Sequence, residues 1–364
     1  MIWFMTPDLP TASGGIQVLY AIVEALNANG IAACVWHGAE GHRYSSFSSE
    51  APVVHGLAQD LAPGDVLVMQ EVGGPKWNFM TQGQPVVMLV QGHTFLFDGL
   101  DFKSRLPAGY PGWPNARAAI VVSEYVERTV HGMAGAEFPT FRIPPSIDPA
   151  LFVPRRKQRT IAYMPRRRRD DLVAVVQLLD RGSLLPDGWT FTEIDGLDQA
   201  GVAAQLGQSA IFLSGARREG FGMTGAEALS AGCAVVGFTG DGGAEYLTSD
   251  VARVIHDNDF VGMAQAVAET ARRYDAADED LRNRTMLGRA RVHERYSPEK
   301  LRDSAVAAFQ ELEAAGSDAR VTTPTRITHY QTHAPRSGAG WAIYLRARRL
   351  ARRGLNAVRG TGQP

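Results

Sequence analysis

Two carboxylates eight positions apart, Glu219 and Glu227, stand in the segment SGARREGFGMTGAEALSAGCAVVGFTGDGGAEYL, residues 214–247. An apolar strand ends at Ser214, a glycine-rich turn follows, and a helix begins near Thr224. Free backbone N–H groups around that helix start, from Phe221 through Gly222 and Met223 to Thr224, would point into a cleft at the carboxyl edge of a sheet, an arrangement suited to a phosphate or diphosphate. Glu219 in the loop and Glu227 on the helix can share that crevice, one reaching sugar hydroxyls and the other a ribose diol. The plainer alternative is that a glutamate early in a helix only complements the helix dipole.

Three further groups have chemistry to offer. Gly14 and Gly15 sit between a strand and a helix, where a side chain would keep a diphosphate away from the backbone N–H groups; a tight turn is the alternative. The run Met164 to Asp171, MPRRRRDD, follows another strand, and His93 stands in Gln91-Gly-His-Thr-Phe after a third. No His/Asp/Glu group has metal-ligand spacing. Arginines can supply the charge that magnesium would otherwise bring, so neither metal nor cofactor is expected.

The elements that must position these residues alternate regularly. Residues 1–40 read as strand IWFM, the glycine turn, helix IQVLYAIVEALNANG and strand IAACVWH, a βαβ opening. Further apolar strands fall at 65–70, 85–91 and 118–123, of the kind buried on both faces of a parallel sheet. A proline-rich stretch, Phe141 to Pro154, breaks the rhythm. The alternation then resumes with strands at 161–164, 189–195, 210–214 and 234–238, and helices at 171–180, around 202–206 and near 224–231. Two helical segments, 259–274 and 297–316, close this half. The implied fold class is α/β: an N-terminal Rossmann-like domain over 1–148, a second over 149–316, and 317–364 as linker and basic tail.

The chain has 364 residues, 45% apolar and 21% charged, which suits two globular domains. Only two cysteines, Cys34 and Cys233, exclude a disulfide scaffold and point to a reducing cytoplasm. No run is apolar enough to span a membrane. Residues 321–364 hold eight arginines and no acid, so residues 1–320 carry −9 against an overall −1. Such an acidic body is no nucleic-acid clamp. Within the tail, 341–359 reads as an amphipathic helix with Ile343, Leu350, Leu355 and Val358 on one face, suited to peripheral contact with anionic lipid at the inner face of a membrane.

The segment from Glu219 to Val236 resembles the glutamate-x7-glutamate motif of GT-B glycosyltransferases, in particular retaining family 4. The likeness continues through Gly240 to Leu247 and Ala290 to Leu312; upstream, Ser13-Gly-Gly15, Val122-Ser-Glu-Tyr125 and Ile147 to Phe152 are similar to that family's glycine loop, pre-hinge element and hinge. It covers about 1–315. The resemblance implies two doubly wound domains facing across a cleft, and transfer of a sugar, with retention, from a nucleotide diphosphate sugar to a hydroxyl of a glycan or glycolipid. Family precedent alone suggests mannose from GDP-mannose, as in polysaccharide biosynthesis, with a deoxythymidine or uridine diphosphate sugar as the alternatives. It further implies that Gly14, Gly15, Arg166 and Arg167 face the donor diphosphate and Glu227 the ribose, while Glu219 and His93 face the sugar. Four arginines stand where the family carries an Arg and a Lys. The aromatics Trp77, Phe79, Phe95, Phe97, Tyr110 and Trp113 are acceptor-stacking candidates. The rival readings are a sugar-nucleotide epimerase or hydrolase of the same fold, and a non-catalytic partner of another transferase.

Overall fold

The computed structural model describes residues 1–330 apart from 11, 72–73, 99, 106–107, 167 and 315–317, and only the backbone of 74–77. The expected helix over 341–359, with its lipid contact, lies outside the described residues. No described helix is long and apolar enough to cross a membrane.

The first half runs β1 (Ile2–Met5), α1 (Gly14–Ala28), β2 (Ala33–His37), β3 (Val53–His55), β4 (Ala58–Leu61), β5 (Val66–Gln70), β6 (Val86–Val90), β7 (Ala116–Val121), α2 (Glu124–Ala134) and β8 (Thr140–Arg142). Seven of these strands form a parallel sheet in the order β3-β2-β1-β5-β6-β7-β8. β2, β5 and β6 are buried along their whole length, as strands covered on both faces must be. The Ser13 hydroxyl starts α1 by accepting from the Ile16 N–H at 3.3 Å, and Gly30, at φ +77°, follows its end.

The second half runs β9 (Gln158–Tyr163), α3 (Arg169–Arg181), β10 (Thr190–Glu193), α4 (Gln199–Gln208), β11 (Ser209–Ala216), α5 (Met223–Ser230), β12 (Ala234–Thr239), β13 (Arg253–Val254), α6 (Phe260–Asp275) and α7 (Glu279–Arg295). Its parallel sheet has the order β10-β9-β11-β12-β13. α3 and α6 cover one face, and α4, α5 and α7 lie on the other. The next helix, α8 (Pro298–Ala314), returns to the first domain, where Leu301, Ala305 and Phe309 share a core with Phe4, Ile22 and Leu26. Carboxyl edges of parallel strands from both domains carry the loops of interest, so the architecture is GT-B.

The linker reading of residues 317 onward is corrected over 318–330. These residues add β14 (Thr325–Thr328), antiparallel to β4, with Arg326 paired to Asp60 at 2.7 Å. Val321, Ile327 and His329 are buried, and the His329 ring lies 5.4 Å from Trp36. A four-residue strand among threonines shows too little alternation to outweigh linker-like composition. Replacing Ile327, fully enclosed, by alanine is expected to cost about 2–5 kcal/mol, measured from the urea midpoint; an unchanged midpoint would contradict its place in the core.

Candidate active site

The turn between β11 and α5 is held from three sides. Arg218 adopts φ +52° and Gly222, the cap of α5, φ +84°, a left-handed conformation that glycine takes without strain. The Gly242 N–H donates to the Glu219 carbonyl at 2.9 Å, and the Tyr246 hydroxyl donates to the Gly222 carbonyl. Phe221 is buried with ring centroids 5.1 Å from Tyr246 and 4.9 Å from Tyr296. Its side chain belongs to the core, and only its backbone is left to meet a donor. Met223 and Thr224 form the first turn of α5, where backbone N–H groups lack helical partners.

Glu219 is half-buried in the turn, while Glu227, on α5, is 8% exposed. Burial pushes the Glu227 carboxyl up to about 7 from its ordinary 4.5. The folded protein thus holds this proton more tightly than the unfolded chain, so the associated stability is full below pH 4.5 and is lost as pH rises to about 7. Without nucleotide, Glu227→Gln is expected to exceed the wild type in stability by up to about 3 kcal/mol at pH 8 and to match it near pH 4.5. Thermal unfolding at the two pH values measures this; equal differences at both would overturn it.

From the first domain three loops converge. A Cβ on Gly14 would lie 3.0 Å from the Met223 sulfur of the second domain, and one on Gly15 would lie 2.5 Å from the Gln91 side-chain oxygen. The Gln91 amide in turn donates to the Gly15 carbonyl at 2.9 Å. The Gln91 N–H donates at 3.0 Å to Glu71, whose buried carboxyl is raised to about 7 by desolvation despite backbone hydrogen bonds. Gln91 therefore ties the glycine turn to the His93 loop. A Cβ on Gly220 would overlap the Gln91 carbonyl oxygen and lie 2.8 Å from its carbon, so backbone meets backbone across the cleft.

His93 is buried and its Nε2 pairs with Asp241 of the second domain at 3.0 Å, with Tyr125 edge-on at 4.9 Å. Burial lowers its pKa, Asp241 opposes this, and Arg218 lowers it further. At neutral pH the ring is therefore a neutral donor toward Asp241. The Ser123 hydroxyl donates to the Gly220 carbonyl at 2.5 Å and the Glu124 N–H to Glu245 at 3.0 Å, completing the contact between domains.

Among the arginines, Arg166 is exposed just beyond β9, and Arg167 lies outside the described residues. Arg168 is buried over the Phe238 ring and bonded to Asp171 and Asp257; Arg169 pairs with Glu193 at 2.9 Å. The last two are thus committed to structure, while Arg217 and Arg218 add exposed positive charge beside Glu219. Of the acceptor-stacking candidates, Tyr110 and Trp113 are buried in the core, whereas Phe79 and Phe97 are exposed. The sequence reading missed Gln91, Ser123, Asp241 and Glu245 as contacts between the domains. Ser123, Asp241 and Glu245 lie in the recognised segments, but single polar residues in loops carry no signal of what they face.

Residues 196–304 match a family model described as family 4 glycosyltransferase in conflict systems. No curated protein matches the chain in sequence. Among solved structures, sucrose-phosphate synthase from Thermosynechococcus elongatus is similar with a TM-score of 0.63 and 15% identity, over 86% of this chain and 99% of that one. HepE from Anabaena, in complex with UDP and glucose, gives 0.57 and 13% over 85% and 99%. The pneumococcal O-GlcNAc transferase GtfA, in complex with UDP and GlcNAc, gives 0.58 and 11% over 86% and 99%.

Proposed function

We propose that this chain, GT-B in fold and matched over residues 196–304 by a family 4 glycosyltransferase model, moves a sugar from a nucleotide diphosphate sugar to a hydroxyl of a glycan or glycolipid. The observation that carries the reading is the meeting of Gly14 with the start of α5 at Met223, with Gly15 packed on Gln91 and His93 paired with Asp241 across the same contact between the domains. In this picture the α5 N–H groups, Arg166 and Arg167 receive the diphosphate. They stabilise it as the leaving group, since fixed donors aimed at developing negative charge lower the barrier. Glu227 accepts from the ribose hydroxyls, and Glu219 with His93 holds the transferred sugar.

Retention at the anomeric carbon fits a front-face mechanism. The C–O bond to the diphosphate breaks and a phosphate oxygen takes the proton of the acceptor hydroxyl as the new glycosidic bond forms on the same face. Glu219 then needs only to position and stabilise charge. Turnover without added magnesium is part of the same reading, with the arginines supplying the charge.

GDP-mannose rests on family precedent alone. HepE and GtfA were each solved with UDP, which favours a uridine diphosphate sugar as the first donor to test. A thermal-shift comparison of UDP, GDP, dTDP and ADP with their sugars is expected to single out one nucleotide by several degrees. An acceptor-dependent product whose anomeric proton coupling matches the donor would then support retention. Donor turnover without acceptor would favour the epimerase or hydrolase reading; no shift with any nucleotide would favour the non-catalytic partner.

A further inference from the structure

We propose that Asp8, His37 and His42 form a binding site for one divalent transition-metal ion, of which zinc is the best chemical fit. The sequence shows no ligand spacing because the three residues come from different places: the loop after β1, the end of β2, and the loop after β2. Parallel pairing of β1 with β2, Met5 opposite Trp36, brings both following segments out at one sheet edge.

There, one potential ligand atom from each residue lies within 4.8 Å of the other two. Asp8 and His37 are buried, and His42 is half-buried. The His37 and His42 ring centroids are 4.6 Å apart. His37 Nδ1 donates to Asp8 at 2.6 Å, and the Tyr20 hydroxyl lies 2.7 Å from its Nε2. His42 Nε2, by contrast, is buried with no hydrogen-bond partner among the described residues, an imidazole nitrogen with its polar valence unused. Two imidazoles and a carboxylate are the donor set of open zinc sites, which keep a fourth position for water. An ion here takes the place of the proton shared by Asp8 and His37 and engages the unused nitrogen of His42.

The consequence is local order. Asp8 also accepts from the N–H groups of Gly38 at 3.3 Å and Ala39 at 2.7 Å, so it already joins the two loops. An ion would clamp the first of them, which runs directly into Ser13, Gly14 and Gly15. The inference stands independently of sugar transfer, because its test reads metal and not turnover.

The full chain, stripped of metal by dialysis against chelator, is titrated with Zn²⁺ in competition with a chromophoric chelator, and with Co²⁺ followed in the visible. Expected are one equivalent of Zn²⁺ bound with micromolar or tighter affinity and a Co²⁺ spectrum of low coordination number. His42→Ala is expected to weaken binding by at least about 100-fold, while His256→Ala, an exposed control, leaves it unchanged. Absence of stoichiometric binding, or equal binding in His42→Ala, would overturn the site. X-ray absorption on the wild-type zinc protein gives a readout that needs no variant: two imidazoles in the shell support the assignment, and none refutes it.

Discussion

Gly220→Ala is expected to lower the rate of sugar transfer by at least about 100-fold while nucleotide affinity changes by only about threefold. Neither side of the contact can yield cheaply. On one side the Gly220 carbonyl accepts from Ser123, and Gly242 packs against it so closely that a Cβ there would lie 2.5 Å from the Gly220 carbonyl carbon and 2.9 Å from the Phe221 Cα. On the other, the Gln91 backbone is held by Glu71 and its side chain by Gly15. A methyl group between them forces the domains apart, separating Gly14 from Met223 and His93 from Asp241. The nucleotide, which the proposed function places on the second domain, should be less affected. Steady-state transfer, nucleotide titration and small-angle scattering test this together. Wild-type transfer, or an unaltered scattering profile, would refute the role given to this contact.

Glu219→Ala is expected to reduce the catalytic rate at least about tenfold, equivalent to about 1.4 kcal/mol at the transition state. Anchoring of its carbonyl by Gly242 fixes the backbone from which the carboxylate projects, so the side chain works from a rigid base. A residue that orients the sugar and stabilises charge should show its loss in kcat more than in nucleotide affinity. Because Glu219 is only half-buried, the unfolding temperature should move little. Arg166→Ala is expected to lose a similar factor, since its charge faces the leaving diphosphate in the same reading. Full activity in either variant would remove that residue from the site.

Much of this architecture was legible in the alternation of apolar strands and helical repeats, because strands buried on both faces must be continuously apolar. The helix starting near Thr224 and the glycine turns were legible for a similar local reason: glycine marks sharp turns and helix starts. What could not be read was which strands are neighbours. Asp8, His37 and His42 become a cluster only once β1 lies beside β2, and Gln91 faces Gly15 and Gly220 only once two domains meet. The short strands β3, β4, β8, β13 and β14 were missed as well, since two to four residues show no period. Of the acids that hold Arg168, Asp171 is near in sequence and was legible there, whereas Asp257 reaches it only through the fold.

The return of the chain to its starting domain has a consequence for biosynthesis. β4 is complete at Leu61, yet the strand that covers its edge ends at Thr328. At ribosomal speeds of about 5–20 residues per second, that edge waits roughly 13–53 s for its partner. During that interval the chain through α7 is made, while the nascent N-terminal domain lacks α8 over α1, and β4, which lies outside its parallel sheet, lacks its one partner strand β14. The first part made is thus the last finished, and a ribosome stalled before residue 298 would carry an N-terminal domain with β4 unpaired and an apolar face of α1 uncovered, the natural target of a holding chaperone.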